Sequence, residues 1–386
     1  MTVDRPSLIL IVGARPNFMK AGPVLRAVER RGAMTPVLVH TGQHYDERMS
    51  ELFFKDLGLP RPDVNLEVGS GSHASQTAEV MVRFEEFLEG RAETPAGVLV
   101  VGDVNSTVAC SLVAAKRGVP LIHVEAGLRS FDRGMPEELN RIVTDQLADV
   151  CYVTESAGVD NLRREGKDPS TCPLIGNTMI DTLLTHRERA EASGVARRIE
   201  FGVERGEYAV VTLHRPSNVD DASNLAGILG ALEELARDLP MIWPLHPRTA
   251  ARAREFGLDD QLRGMSNVKL VEPQGYLDFL GLTAGAGLLL TDSGGIQEEA
   301  VVLKVPCVTL RENTERPVTI EVGGNVLAGA DPARIIAAAH DMRGRDRSTI
   351  GTPENWDGHA AERIAEDLER RLAVVPATTL ATEDSS

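Results

Sequence analysis

The chain has 386 residues, too many for one ordinary compact domain and well suited to two of common size. Hydrophobic residues make up 42% and charged residues 25%, which excludes a disordered or fibrous chain. A formal charge of -16 argues against a nucleic-acid partner, which needs a basic footprint, although a few local cations could still hold one nucleotide.

The chain runs from Met1-Thr2-Val3-Asp4-Arg5-Pro6 straight into an apolar strand, a pattern in which no signal peptide is expected. No apolar run approaches the roughly 18 residues of a membrane span. A cytoplasmic protein without a membrane partner is expected. Cys110, Cys151, Cys172 and Cys307 are scattered without a CxxC pair, so neither a zinc site nor a disulfide is expected.

Apolar, β-branched runs predict strands at 7–12, 36–40, 97–101 and 120–124, with helical patterns near 18–31, 46–57, 75–90 and 105–117 between them. Strands at 208–213, 241–245, 268–271, 286–290 and 306–310 repeat the scheme. Buried strands spaced by helices imply right-handed crossovers and parallel sheets. The expected fold class is α/β, with two doubly wound Rossmann-like domains facing across a cleft. The domains are predicted at 1–176 and 177–356, hinged near Gly176-Asn177. A last amphipathic helix is predicted over 357–373 and a disordered tail over 374–386.

Ligands in such folds bind at the carboxyl ends of the strands. The first strand-end loop, Gly13-Ala14-Arg15-Pro16-Asn17-Phe18-Met19-Lys20, matches neither GxGxxG nor GxxxxGK[ST]. It offers a helix N-terminus flanked by Arg15 and Lys20, an anion site or equally a turn with solvated charges. In the second half, Thr291-Asp292-Ser293-Gly294-Gly295-Ile296-Gln297-Glu298-Glu299 suits a diphosphate, with Ser293 as a further donor and Glu299 turned to a ribose. A capping box on Ser293 with acids in the first turn would explain the same letters.

Three acids, Asp103, Glu125 and Glu137, fall in strand-end loops, with Arg129 and Arg141 near in sequence. Glu137 and Arg141 lie one helical turn apart, the spacing of an ordinary salt bridge. Together the acids favour proton-transfer chemistry. His214 ends a strand and could stabilise a leaving group, though a structural histidine is the commoner case. His246 is the weaker candidate.

Read together, GARPNFMK, TGQHYD (41–46), VGDVNST, HVEAGLRS, MPEELNR, TLHR, TDSGGIQEEA and RENTERP resemble the non-hydrolysing UDP-N-acetylglucosamine 2-epimerases over nearly the whole chain. The resemblance implies a GT-B glycosyltransferase-like fold, a homodimer and UDP held mainly by the C-terminal domain. It also implies a final helix returning to the N-terminal domain, and no cofactor or metal. Arg15, Lys20, Asp103, Glu125, Glu137, Arg141 and His214 match family active-site positions. Gln274, Phe279, Ser293, Gly294, Gly295, Glu299 and Arg316 match nucleotide-binding positions.

Two departures stand out. The family often has HRREN where this chain has His214-Arg215-Pro216-Ser217-Asn218. The glutamine and arginine of the family's allosteric pocket are absent at Asp46 and near 69–73, so substrate activation of that kind is not expected. TGQHYD and GSGSH are closer to the branch that includes archaeal members and epimerases of diacetamido-uronic acid nucleotides. The expected reaction is elimination of UDP to a glycal and its return, interconverting UDP-GlcNAc and UDP-ManNAc. Another UDP-sugar, a hydrolysing epimerase and a UDP-sugar glycosyltransferase are the alternatives.

Overall fold

The computed structural model describes residues 5–42 and 57–372. The first lobe runs β1 (Ser7–Val12), α1 (Arg15–Arg31), β2 (Thr35–His40), β3 (Val64–Asn65), α2 (His73–Glu89), β4 (Gly97–Val101), α3 (Asn105–Lys116), β5 (Leu121–Ala126), α4 (Pro136–Leu147), β6 (Val150–Val153) and α5 (Ser156–Arg164). Its strands are fully parallel in the order β3-β2-β1-β4-β5-β6. The short strands are apolar on both faces, as burial under helices on both sides requires. The expected helix at 46–57 and residues 43–46 of TGQHYD lie outside the described residues, apart from Leu57.

Helix α6 (Thr178–Phe201) leads to the second lobe. There follow β7 (Ala209–Thr212), α7 (Ala222–Leu235), β8 (Met241–Pro244), α8 (Pro247–Glu255), β9 (Val268–Val271), α9 (Tyr276–Gly285), β10 (Leu288–Thr291), α10 (Gly294–Leu303), β11 (Cys307–Thr309), β12 (Asn325–Leu327) and α11 (Pro332–Arg343). This sheet is also parallel, in the order β12-β11-β10-β7-β8-β9. Read from β9, that is the first sheet's order again. Two doubly wound sheets make the GT-B architecture. Each has its switch point, β1/β4 and β7/β10, where strand order reverses and a crevice opens.

β6, β12 and α6 were not picked out by the apolar runs. The sequence over 178–201 is amphipathic only weakly, because its first turns are buried between the lobes. Thr182 Oγ1 donates to Met19 O at 2.6 Å. Asp181 accepts the backbone N–H of Ala360 (3.2 Å) and Ala361 (2.7 Å) at the start of α12 (Ala360–Leu372).

Helix α12 lies on the first lobe. Ala361, Ile364 and Leu368 join the core formed by β1 and α1, and Arg31 pairs with Glu369 at 2.6 Å. The chain therefore crosses between lobes twice, side by side. Gly176 has φ +92°, and a Cβ there would sit 2.0 Å from Asn355 O, while Asn355 Nδ2 donates to Leu174 O at 3.1 Å. The tail predicted at 374–386 lies outside the described residues.

Candidate active site between the lobes

Both switch points deliver their loops to the junction of the lobes. In the first lobe, β5 carries a bulge: Val124 pairs with Tyr152 and Ala126 with Val153, leaving Glu125 unpaired at φ +73°. That conformation is sparsely populated for a glutamate and persists only where its surroundings hold it. The Glu125 carboxylate is buried against Lys20 Nζ of α1 on one oxygen, and accepts from Arg316 Nη2 of the second lobe at 3.0 Å on the other. Burial pushes its carboxyl up, but Lys20 and Arg316 outweigh burial and hold it below the usual carboxylate range. Gly102, at φ +67°, lets the backbone after β4 approach this pair, since a Cβ there would meet Glu125 Oε2 and Lys20 Nζ at 3.3 Å.

Asp103 follows Gly102 and bonds Arg141 Nη1, and its carbonyl accepts from Asn140 Nδ2 at 2.9 Å. The expected Glu137–Arg141 pair does not form. Arg141 instead reaches Glu138, with Nη2 and Nε donating at 2.7 and 3.2 Å. Glu138 also accepts from Ser130 N, Ser130 Oγ and Phe131 N. Three residues of spacing put Glu138 inside and free the half-buried Glu137 to face the second lobe, where its charge is felt by Arg215.

In the second lobe, His214 stands two residues beyond β7 with its Nδ1 2.9 Å from Asp292 Oδ1. Asp292, at the end of β10, also accepts the backbone N–H of His214 (2.9 Å) and Arg215 (2.8 Å). Burial raises its carboxyl, and His214 outweighs that and keeps it ionised. The imidazole is thereby fixed with Nδ1–H on the carboxylate and Nε2 available to the junction. His246 lies beside it, with ring centroids 5.6 Å apart.

The loop before α10 is not a capping box. Ser293 occupies the N-cap position without a capping bond from its hydroxyl, and the first turn holds Gly294, Gly295 and Ile296 instead of acids. Gly294 leaves room for Arg316, whose Nη1 would lie 2.7 Å from a Cβ there. Glu298 and Glu299 sit one turn further on, fully buried. Glu298 Oε1 is 2.7 Å from Arg316 Nε and accepts from Asn177 Nδ2 at 3.0 Å. Tyr276 Oη donates to Glu299 Oε1 at 3.4 Å, and burial lifts the Glu299 carboxyl to about 8.

The first loop differs from a free anion cradle. Asn17 Oδ1 accepts from the N–H of Gly13 (3.2 Å) and Ala14 (2.9 Å), and Lys20 turns to Glu125. Arg15 opens α1, and its side chain lies outside the described ones. Gln274 precedes α9 on the second lobe and Phe279 lies within it. Gln274 bonds Glu272 O at 2.6 Å, and Phe279 is packed partly into the sheet core.

Sequence reasoning named neither Asp292 as the orienter of His214 nor Glu138 as the partner of Arg141. An acid ending β10 directly across from the strand-end histidine was the available signal for the first. Glu155 was also missed. It is buried at the end of β6 facing Glu298, and the Val318 N–H approaches it without closing a hydrogen bond.

Burial and Glu298 lift the Glu155 carboxyl from 4.5 to about 8. The unfolded chain sheds that proton first, so stability declines as pH rises through this window. Glu155→Gln, which mimics the protonated form, is expected to melt close to wild type near pH 4 and above it near pH 8. Thermal melts across this range test it; a gap that fails to widen with pH would rule the account out.

The family model for UDP-N-acetylglucosamine 2-epimerase matches residues 26–369. The chain belongs to the UDP-N-acetylglucosamine 2-epimerase family. The family's member from Methanocaldococcus jannaschii, UDP-N-acetylglucosamine 2-epimerase, is 42% identical over 369 residues, covering 94% of this chain and 98% of the relative. A Pseudomonas aeruginosa UDP-2,3-diacetamido-2,3-dideoxy-D-glucuronate 2-epimerase is 39% identical, covering 94% of this chain and 99% of its own. The crystal structure of the Methanocaldococcus jannaschii UDP-GlcNAc 2-epimerase in complex with UDP-GlcNAc and UDP superposes with a TM-score of 0.85 at 41% identity. It covers 94% of this chain and 99% of that one. No helix among the described residues of this epimerase-family chain is long and apolar enough to cross a membrane.

Proposed function

We propose that the chain interconverts UDP-GlcNAc and UDP-ManNAc without hydrolysis, as a cytoplasmic homodimer. The supporting observation is Glu125, an ionised carboxylate on a strained bulge, held by cations from both lobes.

The sugar's C2–H is not acidic, because C1 is an acetal carbon, so simple enolisation is closed. A base removes the C2 proton, its electron pair forms the C1=C2 bond, and the C1–O bond breaks with its electrons leaving on UDP. UDP oxygen then re-forms the bond to C1 while a proton reaches C2 on the opposite face. Two faces need two carriers, and Asp103, Glu125 and Glu137 supply them, each such group contributing about 10²–10⁴-fold. Arg141 holds Asp103 in place.

His214, Arg15, Arg316 and the Ser293-Gly294-Gly295 loop hold the departing diphosphate, where charge grows. Gln274, Phe279 and Glu299 take the uridine and ribose. The first lobe, 1–176, thus carries the acids, and the second, 177–356, carries the nucleotide. Lobe closure keeps the glycal beside UDP.

Epimerisation run in D₂O is expected to place deuterium at C2 of the product, read by NMR. Product without label would exclude the proton route. The relative acting on a diacetamido-glucuronate is nearly as similar as those acting on UDP-GlcNAc, so that nucleotide is the second substrate reading. Parallel incubations with both UDP-sugars, following their C1 and C2 protons, separate the two.

A further inference from the structure

We propose that His123 and Asp145 form a buried positioning dyad, which clamps the strand ends bearing Asp103 and Glu125 and sets a fixed positive charge behind Glu125. The inference rests on the epimerase reading of the site.

Both residues are fully buried, and their bonds run to Gly102, Gly127, Arg129 and each other within the first lobe. His123 stands on β5, two residues before Glu125. Its Nε2 is 2.9 Å from Gly102 O, and a carbonyl only accepts, so Nε2 carries hydrogen. Its Nδ1 lies 2.6 Å from Asp145 Oδ1. The other Asp145 oxygen accepts from Gly127 N at 3.1 Å and lies 2.7 Å from Arg129 Nη1. Burial raises the Asp145 carboxyl, but His123 and Arg129 outweigh it and keep it ionised. With donors already on its other oxygen, Asp145 is placed to accept from His123 Nδ1, so both ring nitrogens face acceptors, the arrangement an imidazolium satisfies. Arg129 is neutralised in turn by Glu165, through bonds of 2.8 and 2.6 Å.

The contacts are chosen by position. Gly102 immediately precedes Asp103. His123 and Gly127 bracket the bulge that throws Glu125 to φ +73°. Asp145 lies one turn beyond Arg141 on α4, so the same helix presents the partner of Asp103. One dyad thus ties together the three elements that carry Asp103, Glu125 and Glu137. A conformation as rare as that of Glu125 persists only where its surroundings over-determine it, and the dyad supplies that restraint.

The charged groups facing Glu125 are Lys20 from α1, Arg316 and Glu298 from the second lobe, and His123 behind it on β5. Removing the His123 charge raises the Glu125 carboxyl and moves the acid limb of the rate profile to higher pH.

The test begins with wild-type epimerisation, whose absence would refute the functional reading and leave the dyad a separate question. In His123→Gln and Asp145→Asn, kcat is expected to fall about 10²-fold, the loss a small misplacement of reacting groups causes. KM and UDP affinity should stay close to wild type, and the acid limb should shift upward in His123→Gln. A folded His123→Gln protein whose acid limb coincides with wild type overturns the proposal, whatever its kcat. If neither variant folds, the wild-type protein with ¹⁵N-labelled histidine decides. Both His123 ring nitrogens should carry protons, as their two acceptors require. A His123 ring nitrogen found without a proton overturns the proposal.

Discussion

Glu125→Gln is expected to lower kcat by about 10²–10⁴-fold while leaving UDP affinity close to wild type. The amide keeps the side chain's shape and one acceptor for Lys20 or Arg316, so the nucleotide lobe has little reason to change. What disappears is the negative charge and with it the ability to take a proton. Glu125 is singled out over Asp103 because its environment is the more specialised. It is buried, unpaired in the sheet, at positive φ, and neutralised from two lobes. Asp103 is part-exposed and shares its arginine with Glu138. Turnover of UDP-GlcNAc followed by NMR, with UDP binding by calorimetry, checks both halves. Near wild-type turnover would remove Glu125 from the chemistry.

The strand-end positions of several candidate residues are legible in the sequence, for a physical reason. Parallel strands must be apolar on both faces, so the charged residues that end them stand out, and Asp103, Glu125 and His214 were found that way. Partners across the site were not legible, because pairing depends on how far apart two strands end. Asp292 is 78 residues from His214, and only the β7–β10 register makes them neighbours. Local spacing misled at Glu137. Four residues and three residues both put an acid beside Arg141, and the amides of Ser130 and Phe131 chose Glu138. The weakly amphipathic helix at 178–201 escaped notice because its first turns are buried on several sides between the lobes.

Arg316→Met is expected to have the second large effect, on binding and stability together. The guanidinium is buried and shared three ways. Nη2 meets Glu125 at 3.0 Å, Nε lies 2.7 Å from Glu298, and Nη1 lies 3.5 Å from Glu315. Burial alone would lower its proton affinity, and these three carboxylates lift it well above the arginine range instead. Methionine matches the length of the stem but leaves Glu298 and Glu125 short of a counter-charge, a loss of about 3–5 kcal/mol when a buried pair is broken.

Because the same guanidinium lies against Gly294, at the start of the α10 loop, UDP should lose a charge-assisted hydrogen bond of about 2–3 kcal/mol. That corresponds to a Kd roughly 30- to 150-fold weaker. The pH sign follows from Glu298, already pushed up by burial. Without the arginine its folded form holds a proton that the unfolded chain releases, so the stability gap to wild type widens as pH rises. Arg316→Lys, a point charge without the fork, should fall between the two. Melting curves at two pH values and a UDP titration test this. A methionine variant that binds UDP as wild type does would mean the nucleotide is held elsewhere.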